Sequence, residues 1–288
     1  MTQRVVWTSV FADGPGGGNP CPVVFGADGL PDGELQASAA RFGAETVFVL
    51  EPRSGGDTRL RYFVPAHEME MCVHATIAAS VLLGRAGRLP DKRALIESPL
   101  GTLAVTWDPR SAVIDQFAPV FGAELIDVSR VAAALRIDAA MLAGPVRPVS
   151  TARTKLMVPL HTEAALDSLT PDHELLWRVC DELEVTGFYP YAPHADPADP
   201  ADFAARQFPR RAGYVEDPAT GVAAAALAAH IAINRDTPGS HTWRIAQGRA
   251  IGRPSLLIAE AQVNRSGGVI ATRVGGTAHE QEPDNRRL

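Results

Sequence analysis

Two short segments hold most of the titratable chemistry of this chain, Met71-Cys72-Val73-His74-Ala75-Thr76 and Glu216-Asp217-Pro218-Ala219-Thr220-Gly221. Each follows a strand-like stretch, Arg61-Tyr62-Phe63-Val64 and Arg206-Gln207-Phe208, and each runs into an Ala-rich helical pattern. The chain thus makes one strand–loop–helix unit twice and puts a different titratable side chain in each loop. An imidazole and a carboxylate at two facing helix starts suit proton transfer on a small acid. A helix macrodipole lowers the pKa of an imidazole at its N-terminus, so His74 can give or take a proton near neutral pH. Asp217 before Pro218 also fits an ordinary helix cap. Aligning His74-Ala75-Thr76 with Pro218-Ala219-Thr220 puts Val73 opposite Asp217, so the two groups stand one position apart.

Two further residues bear on this chemistry. Glu45, in Gly43-Ala44-Glu45-Thr46-Val47-Phe48, is a carboxylate in apolar sequence. It must either be satisfied by partners or have a raised pKa, and a raised carboxylate is what a general base near neutral pH needs. Cys72 is the alternative nucleophile or base, since a thiol near a helix N-terminus can ionise early, although cysteine is also among the most buried residue types. The helix starts at Ala75-Thr76 and Thr220-Gly221 offer backbone N–H groups for a substrate carboxylate.

The elements that must position these groups follow from periodicity. In the first half, strands are expected at 5–11, 22–25, 46–50 and 60–64, a helix at 35–42, a nearly all-apolar helix at 74–85, and a hairpin of 94–97 with 102–107 around Pro99-Leu100-Gly101. In the second, strands are expected at 154–159, 186–191, 203–208, 242–246 and 255–261, a helix at 174–183, and a second all-apolar helix at 219–233. The order repeats, which points to a duplication of one α+β unit rather than a solenoid array. The expected halves are residues 1–118 and 119–276, with the last strand of the second able to pack on the first, and the polar tail 277–288 is expected to be disordered.

Composition excludes several classes. The chain of 288 residues has 27 basic and 33 acidic residues and a formal charge of −6, with no basic stripe for nucleic acid. No run of about 18 apolar residues offers a membrane span, and the N-terminus reads as a strand rather than a signal peptide. Three cysteines, Cys21, Cys72 and Cys180, give neither a disulfide framework nor metal-ligand spacing. A cytoplasmic protein without metal is the expectation.

Taken together, the motifs resemble the phenazine-biosynthesis F-type (PhzF-like) isomerase family, which shares the diaminopimelate epimerase fold. The matching pieces are Phe11 with Gly18-Asn19-Pro20 and Val23-Val24, Glu45 to Val49, Tyr62 to Pro65, Cys72 with His74-Ala75-Thr76, and Glu216 to Gly221. They follow the family's order and spacing over nearly the whole chain. The resemblance implies two pseudo-symmetric hot-dog-like domains, each a curved, mostly antiparallel sheet around a central helix, with the active site between them. It implies a homodimer and an isomerase without cofactor, moving a proton and a double bond on a small unsaturated carboxylated metabolite. Specialised metabolism, antibiotic biosynthesis included, is the implied setting. Glu45 matches the family's main base and acid, and His74 and Asp217 its supporting groups. Asn19, Ala44, Val73, Ala75, Thr76, Thr220, Gly221 and Val222 fall at substrate-binding positions.

Three positions depart from the family pattern. Where it has Ser before the glutamate, Gly before the histidine and Ser after the final Gly, this chain has Ala44, Val73 and Val222. Loss of two hydroxyl donors would leave substrate polar groups unpaired, at about 1–3 kcal/mol each, so a substrate other than the phenazine precursor is expected. Related racemases use one cysteine per half. Cys72 resembles the first, but Asp217-Pro218 stands in place of the second. A Cys72-dependent epimerase with Asp217 opposite, and a binding protein that has lost turnover, are the competing readings.

Overall fold

The computed structural model describes residues 3–233 and 237–281. Its strands form two curved circuits that share one long strand, Val269–Glu280. In the first circuit, Arg4–Val10, Asn19–Phe25, Thr46–Leu50, Thr58–Phe63, Arg93–Ser98, Gly101–Trp107 and Ser111–Asp115 pair in that order. Val269–Glu280 closes it by pairing with Ser111–Asp115 on one side and Arg4–Val10 on the other. In the second, Val120–Phe121, Arg147–Ser150, Lys155–Pro159, Gly187–Pro193, Phe203–Ala205, Gly239–Gln247 and Ser255–Val263 pair in order and end on the same shared strand.

The connections repeat as well. A parallel pair of strands needs a crossover, commonly a helix. Each circuit has two parallel steps. The first is bridged by an outer helix, Asp32–Phe42 in one half and His173–Glu182 in the other. The second is bridged by a central helix, Val73–Arg85 or Gly221–Ala232. The outer helices bury only one stripe, with Leu35 and Ala39 inside in the first and Leu176, Val179 and Cys180 in the second. The central helices are buried on nearly every side, as their apolar sequences require. Both belong to one continuous core.

Several expected boundaries shift. The strand expected at 203–208 is two pieces, Phe203–Ala205 and Phe208–Pro209, because Arg206 and Gln207 leave the ladder and Gln207 bridges to Asp217 instead. The strands Ser111–Asp115, Val120–Phe121, Arg147–Ser150 and Val269–Glu280, together with the helix Ser129–Leu135, were not expected from periodicity. The expected disordered tail is corrected at its start. Thr277–Glu280 is strand, held by the pairs Thr277↔Ser111 and Glu280↔Thr8, and the Gln281 N–H donates to the Trp7 carbonyl. Polar composition misled here because a strand on a sheet needs backbone partners rather than apolar side chains. Residues 282–288 of that tail lie outside the described residues.

The two central helices meet at their N-termini. A Cβ added to Gly221 would lie 2.3 Å from Cγ1 of Val73, far inside contact distance. Glycine at the first position of the second helix therefore lets the two helix starts touch. Gly221→Ala is expected to destabilise the fold by about 1–3 kcal/mol through overpacking, and Val73→Ala in the same chain to recover most of it. Urea unfolding of the two single variants and the double variant measures the coupling.

Candidate active site

The contact between helix starts gathers the titratable loops around one narrow cleft. Glu45, Cys72, Val73, His74, Asp217, Thr220, Gly221 and Val222 all line it. Glu45 sits just after the αL residue Gly43 that ends the Asp32–Phe42 helix, and just before the Thr46–Leu50 strand. Cys72 and Thr220 occupy the N-cap positions of the central helices, yet neither side chain caps its helix. The Thr220 hydroxyl donates to Asp217 Oδ2 instead. The first turns of both helices thus keep uncapped N–H groups beside the cleft.

Glu45 is surrounded by donors. The Tyr214 hydroxyl donates to its Oε1 and the Cys72 thiol to its Oε2 at 3.3 Å. His74 Nε2 stands 3.3 Å from the same Oε2. Burial pushes this carboxyl up, but His74, Tyr214, Cys72 and Arg153 outweigh it and hold Glu45 below the usual glutamate value. Of the two outcomes open to Glu45 from its sequence, satisfaction by partners is the one realised, and the expectation of a raised pKa does not apply to it. Burial is also the main cause that lowers His74, against the opposing pull of Glu45. A neutral imidazole at pH 7 follows. Nε2 faces the Glu45 carboxylate, which can only accept, so Nε2 is the nitrogen that carries the proton.

Asp217 has the opposite fate. It is 4 % exposed, and burial first, then the charge of Glu45, push its carboxyl well above the ordinary value. Asn19 Nδ2 donates to Asp217 Oδ1 at 2.7 Å and to the Ala219 carbonyl at 2.9 Å. Gln247 Nε2 donates to the Asp217 carbonyl at 2.7 Å, while its Oε1 accepts from the Tyr189 hydroxyl at 3.0 Å and the Thr220 N–H at 3.2 Å. The loop leading to Asp217 is fastened by a nearly buried ion pair. Arg206 donates to both Glu216 oxygens, at 3.0 and 2.7 Å, and to the carbonyls of Leu166 and Leu169.

Every expected site residue lies in or against this region. Asn19 and Ala44 line an adjoining cavity, the mouth, which shares Glu45, Tyr214 and Asp217 with the inner cleft. Ala75 and Thr76 lie behind the wall rather than on it. Both are fully buried, and Thr76 bonds the Tyr62 hydroxyl and the Cys72 carbonyl, so it steadies the helix start. Sequence reasoning missed Tyr214, Gln247, Lys155, Arg153 and Gln207. Tyr214 precedes Asp217 by three positions in a loop without periodicity. Lys155 opens an otherwise apolar strand, and a lone cation at an inward position was the available signal.

Glu45, Cys72 and His74 form a three-donor set within 4.8 Å of one another, a chemistry that also suits zinc. Burial and the Glu45 charge push the Cys72 thiol up, so it stands as a hydrogen-bond donor rather than a thiolate ligand. Cys180, the one cysteine of the second half, lies on the buried face of the His173–Glu182 helix in a separate core cluster and does not line the cleft.

With this geometry in place, the comparisons with known proteins define a class. Residues 8–282 match the model of the PhzC-PhzF family of phenazine biosynthesis-like proteins, and the chain belongs to that family. It is 31% identical over 266 residues to the trans-2,3-dihydro-3-hydroxyanthranilate isomerase of Pseudomonas fluorescens, covering 90% of this chain and 91% of that one. It is 33% identical over 267 residues to the enzyme of the same name from Pseudomonas aeruginosa, covering 90% and 91%. A PhzF-family phenazine biosynthesis protein of Bacillus anthracis superposes with a TM-score of 0.87 at 25% identity, covering 98% of each chain. A probable proline racemase from Agrobacterium radiobacter K84 shares the fold, with a TM-score of 0.69 at 12% identity over 97% of this chain and 91% of that one.

Two outcomes are expected. Asp217 binds a proton more tightly folded than unfolded, so its contribution to stability is full below the ordinary carboxyl value of 3.8 and is lost as pH rises through its raised folded value. Asp217→Asn removes that loss, so the variant should gain stability relative to wild type as pH rises from about 4 to 8, read by melting temperature across pH. Glu216→Ala leaves the Arg206 guanidinium buried without its carboxylate, at a cost of about 3–5 kcal/mol in chemical denaturation.

Proposed function

We propose that this chain is a cofactor-independent isomerase that moves a proton and a double bond on a small, unsaturated, carboxylated metabolite. The observation that carries this reading is the splitting of two carboxyl groups in one cleft, Glu45 held down and Asp217 pushed up. Environments that drive two titratable groups apart set a base beside an acid. Glu45, ionised, takes the proton from the substrate carbon. The Tyr214 and Cys72 donors steady the carboxylate and release it as the proton arrives. Asp217, protonated, together with neutral His74, places a hydrogen-bond donor where charge builds on the conjugated system. Return of the proton from Glu45 to a different carbon completes the shift.

The substrate carboxylate sits on the uncapped first turns of the two central helices, beside Val73 and Gly221. The family match and the isomerase names of its relatives support the class of reaction. We read the two strand circuits as two hot-dog-like domains, 1–118 and 119–276, on the strength of their repeated connections, with the cleft between them. Parting of the two halves admits the substrate, since the free space inside is about 30 Å³, room for about two waters. Val73 and Val222 form cleft wall and Ala44 lines the mouth, which puts apolar surface where the family pattern has small or hydroxyl-bearing residues. That supports a substrate with fewer polar groups at these points than the phenazine precursor, in a specialised pathway.

Incubation with small unsaturated acids in deuterated solvent, followed by mass spectrometry, tests the reading. Wild type is expected to wash in deuterium at a carbon that gains a proton, and Glu45→Gln to lose at least about a hundredfold of that rate. Cys72→Ser keeps a hydroxyl donor for Glu45 and should retain exchange. Exchange that survives Glu45→Gln but not Cys72→Ser would reassign the chemistry to the thiol.

A further inference from the structure

Behind Glu45 and Asp217 the cleft continues into a wall that the proton-transfer scheme does not use. Lys155 lies there, on the strand Lys155–Pro159, and is 3 % exposed. Among the described residues its ammonium has neither a hydrogen bond nor an ion pair within 4 Å. Burial, with Arg153 next to it, pushes the lysine down to about 7 despite the pull of Asp217 and Glu45. A lysine held there is only partly charged at neutral pH, and an anion entering the cleft would supply the counter-charge that favours its ammonium form.

Gln207 makes the same point independently. It is 1 % exposed and lines the cleft, and neither its amide nitrogen nor its oxygen has a partner. Native structures leave few such groups unpaired, and each calls for a reason. Its place is built into the backbone. Gln207 leaves the strand ladder to bridge Asp217, and the amide fits because Gly187, at φ +154°, has no Cβ, which would stand 2.4 Å from Nε2. Arg153 adds a second cation to the lining. Its Nε lies 3.3 Å from the half-exposed Glu70, and Nη1 rests on Met69 Sδ at 3.0 Å.

We propose that Lys155, Gln207 and Arg153 form a second subsite that takes a carboxylate at the far end of the substrate, so that the enzyme acts on an unsaturated dicarboxylate. The ammonium and guanidinium supply charge, and the Gln207 amide N–H donates to the same carboxylate. The first carboxylate stays on the helix starts, and the carbon chain between them lies past Glu45. This subsite rests on the reading of the cleft as an isomerase site with a carboxylate at the helix starts, but it is tested by binding alone and does not depend on turnover.

Calorimetry with two acids of one length and one double bond, glutaconate and pent-2-enoate, isolates the second carboxylate. Wild type is expected to bind glutaconate about tenfold tighter or more. Lys155→Met removes the charge at similar volume and should close that gap by weakening glutaconate. Gln207→Glu sets a like charge against the second carboxylate and should do the same, while Gln207→Leu, with no charge, should narrow the gap less. Circular dichroism confirms that each variant is folded, and Lys155→Met is expected to be at least as stable as wild type, having lost a buried charge. Equal affinity for the two acids in wild type, binding of neither, or a preference that survives both Lys155→Met and Gln207→Glu overturns the subsite. A preserved glutaconate preference in a Glu45→Gln protein that also shows undiminished exchange would instead overturn the role of Glu45 and leave the subsite standing.

Discussion

Two carboxyl groups in one water-poor cleft cannot both be ionised without a large cost, and the structure around Glu45 and Asp217 is arranged by that constraint. Around Glu45 stand donors, Tyr214, Cys72 and His74, which favour the charged form. Asp217 lies deeper among buried neighbours, and the charge on Glu45 adds to the effect of burial in favouring its protonated form. A single proton therefore has a defined home. In the proposed reaction the pair takes the parts of base and acid because its surroundings differ, although the side chains are chemically alike.

The fold delivers this asymmetry from a symmetric plan. Each half takes its two parallel steps in the same order, outer helix first and central helix second, and the central helices touch where Val73 meets Gly221. That contact brings the two loops within reach of one another across some 140 residues of sequence. The shared strand Val269–Glu280 joins the circuits and fixes their relation, so that Asn19 from one half can bond Asp217 from the other at 2.7 Å. Divergence between the halves then lies in the loops, with Cys72 and His74 in one and Asp217 and Thr220 in the other.

Much of this was legible in the sequence, for physical reasons. The two central helices announce themselves because a helix wrapped by a sheet must be apolar on nearly every side, and theirs are. The family motifs located Glu45, His74 and Asp217. Apolar departures at Ala44, Val73 and Val222 were also legible, and all three prove to border the cleft or its mouth. What could not be read were contacts made by residues far apart in the chain or without a local pattern. Tyr214 reaches Glu45 from a loop of bends, and Gln247 ties Tyr189 to the Asp217 loop across 30 and 58 positions. The direction of the Glu45 shift was undetermined for the same reason, since it depends on donors brought by tertiary structure. The polar end of the chain was misread because backbone pairing, rather than side-chain burial, makes Thr277–Glu280 a strand.

The proton held between these two carboxyls is the central claim, and infrared difference spectroscopy at neutral pH measures it most directly. Spectra of wild type minus Asp217→Asn should show a protonated-carboxyl stretch assigned to Asp217. Wild type minus Glu45→Gln should show carboxylate bands of Glu45 and no protonated-carboxyl stretch assigned to it. A protonated stretch that belongs to Glu45, or carboxylate bands alone in both difference spectra, would contradict the account.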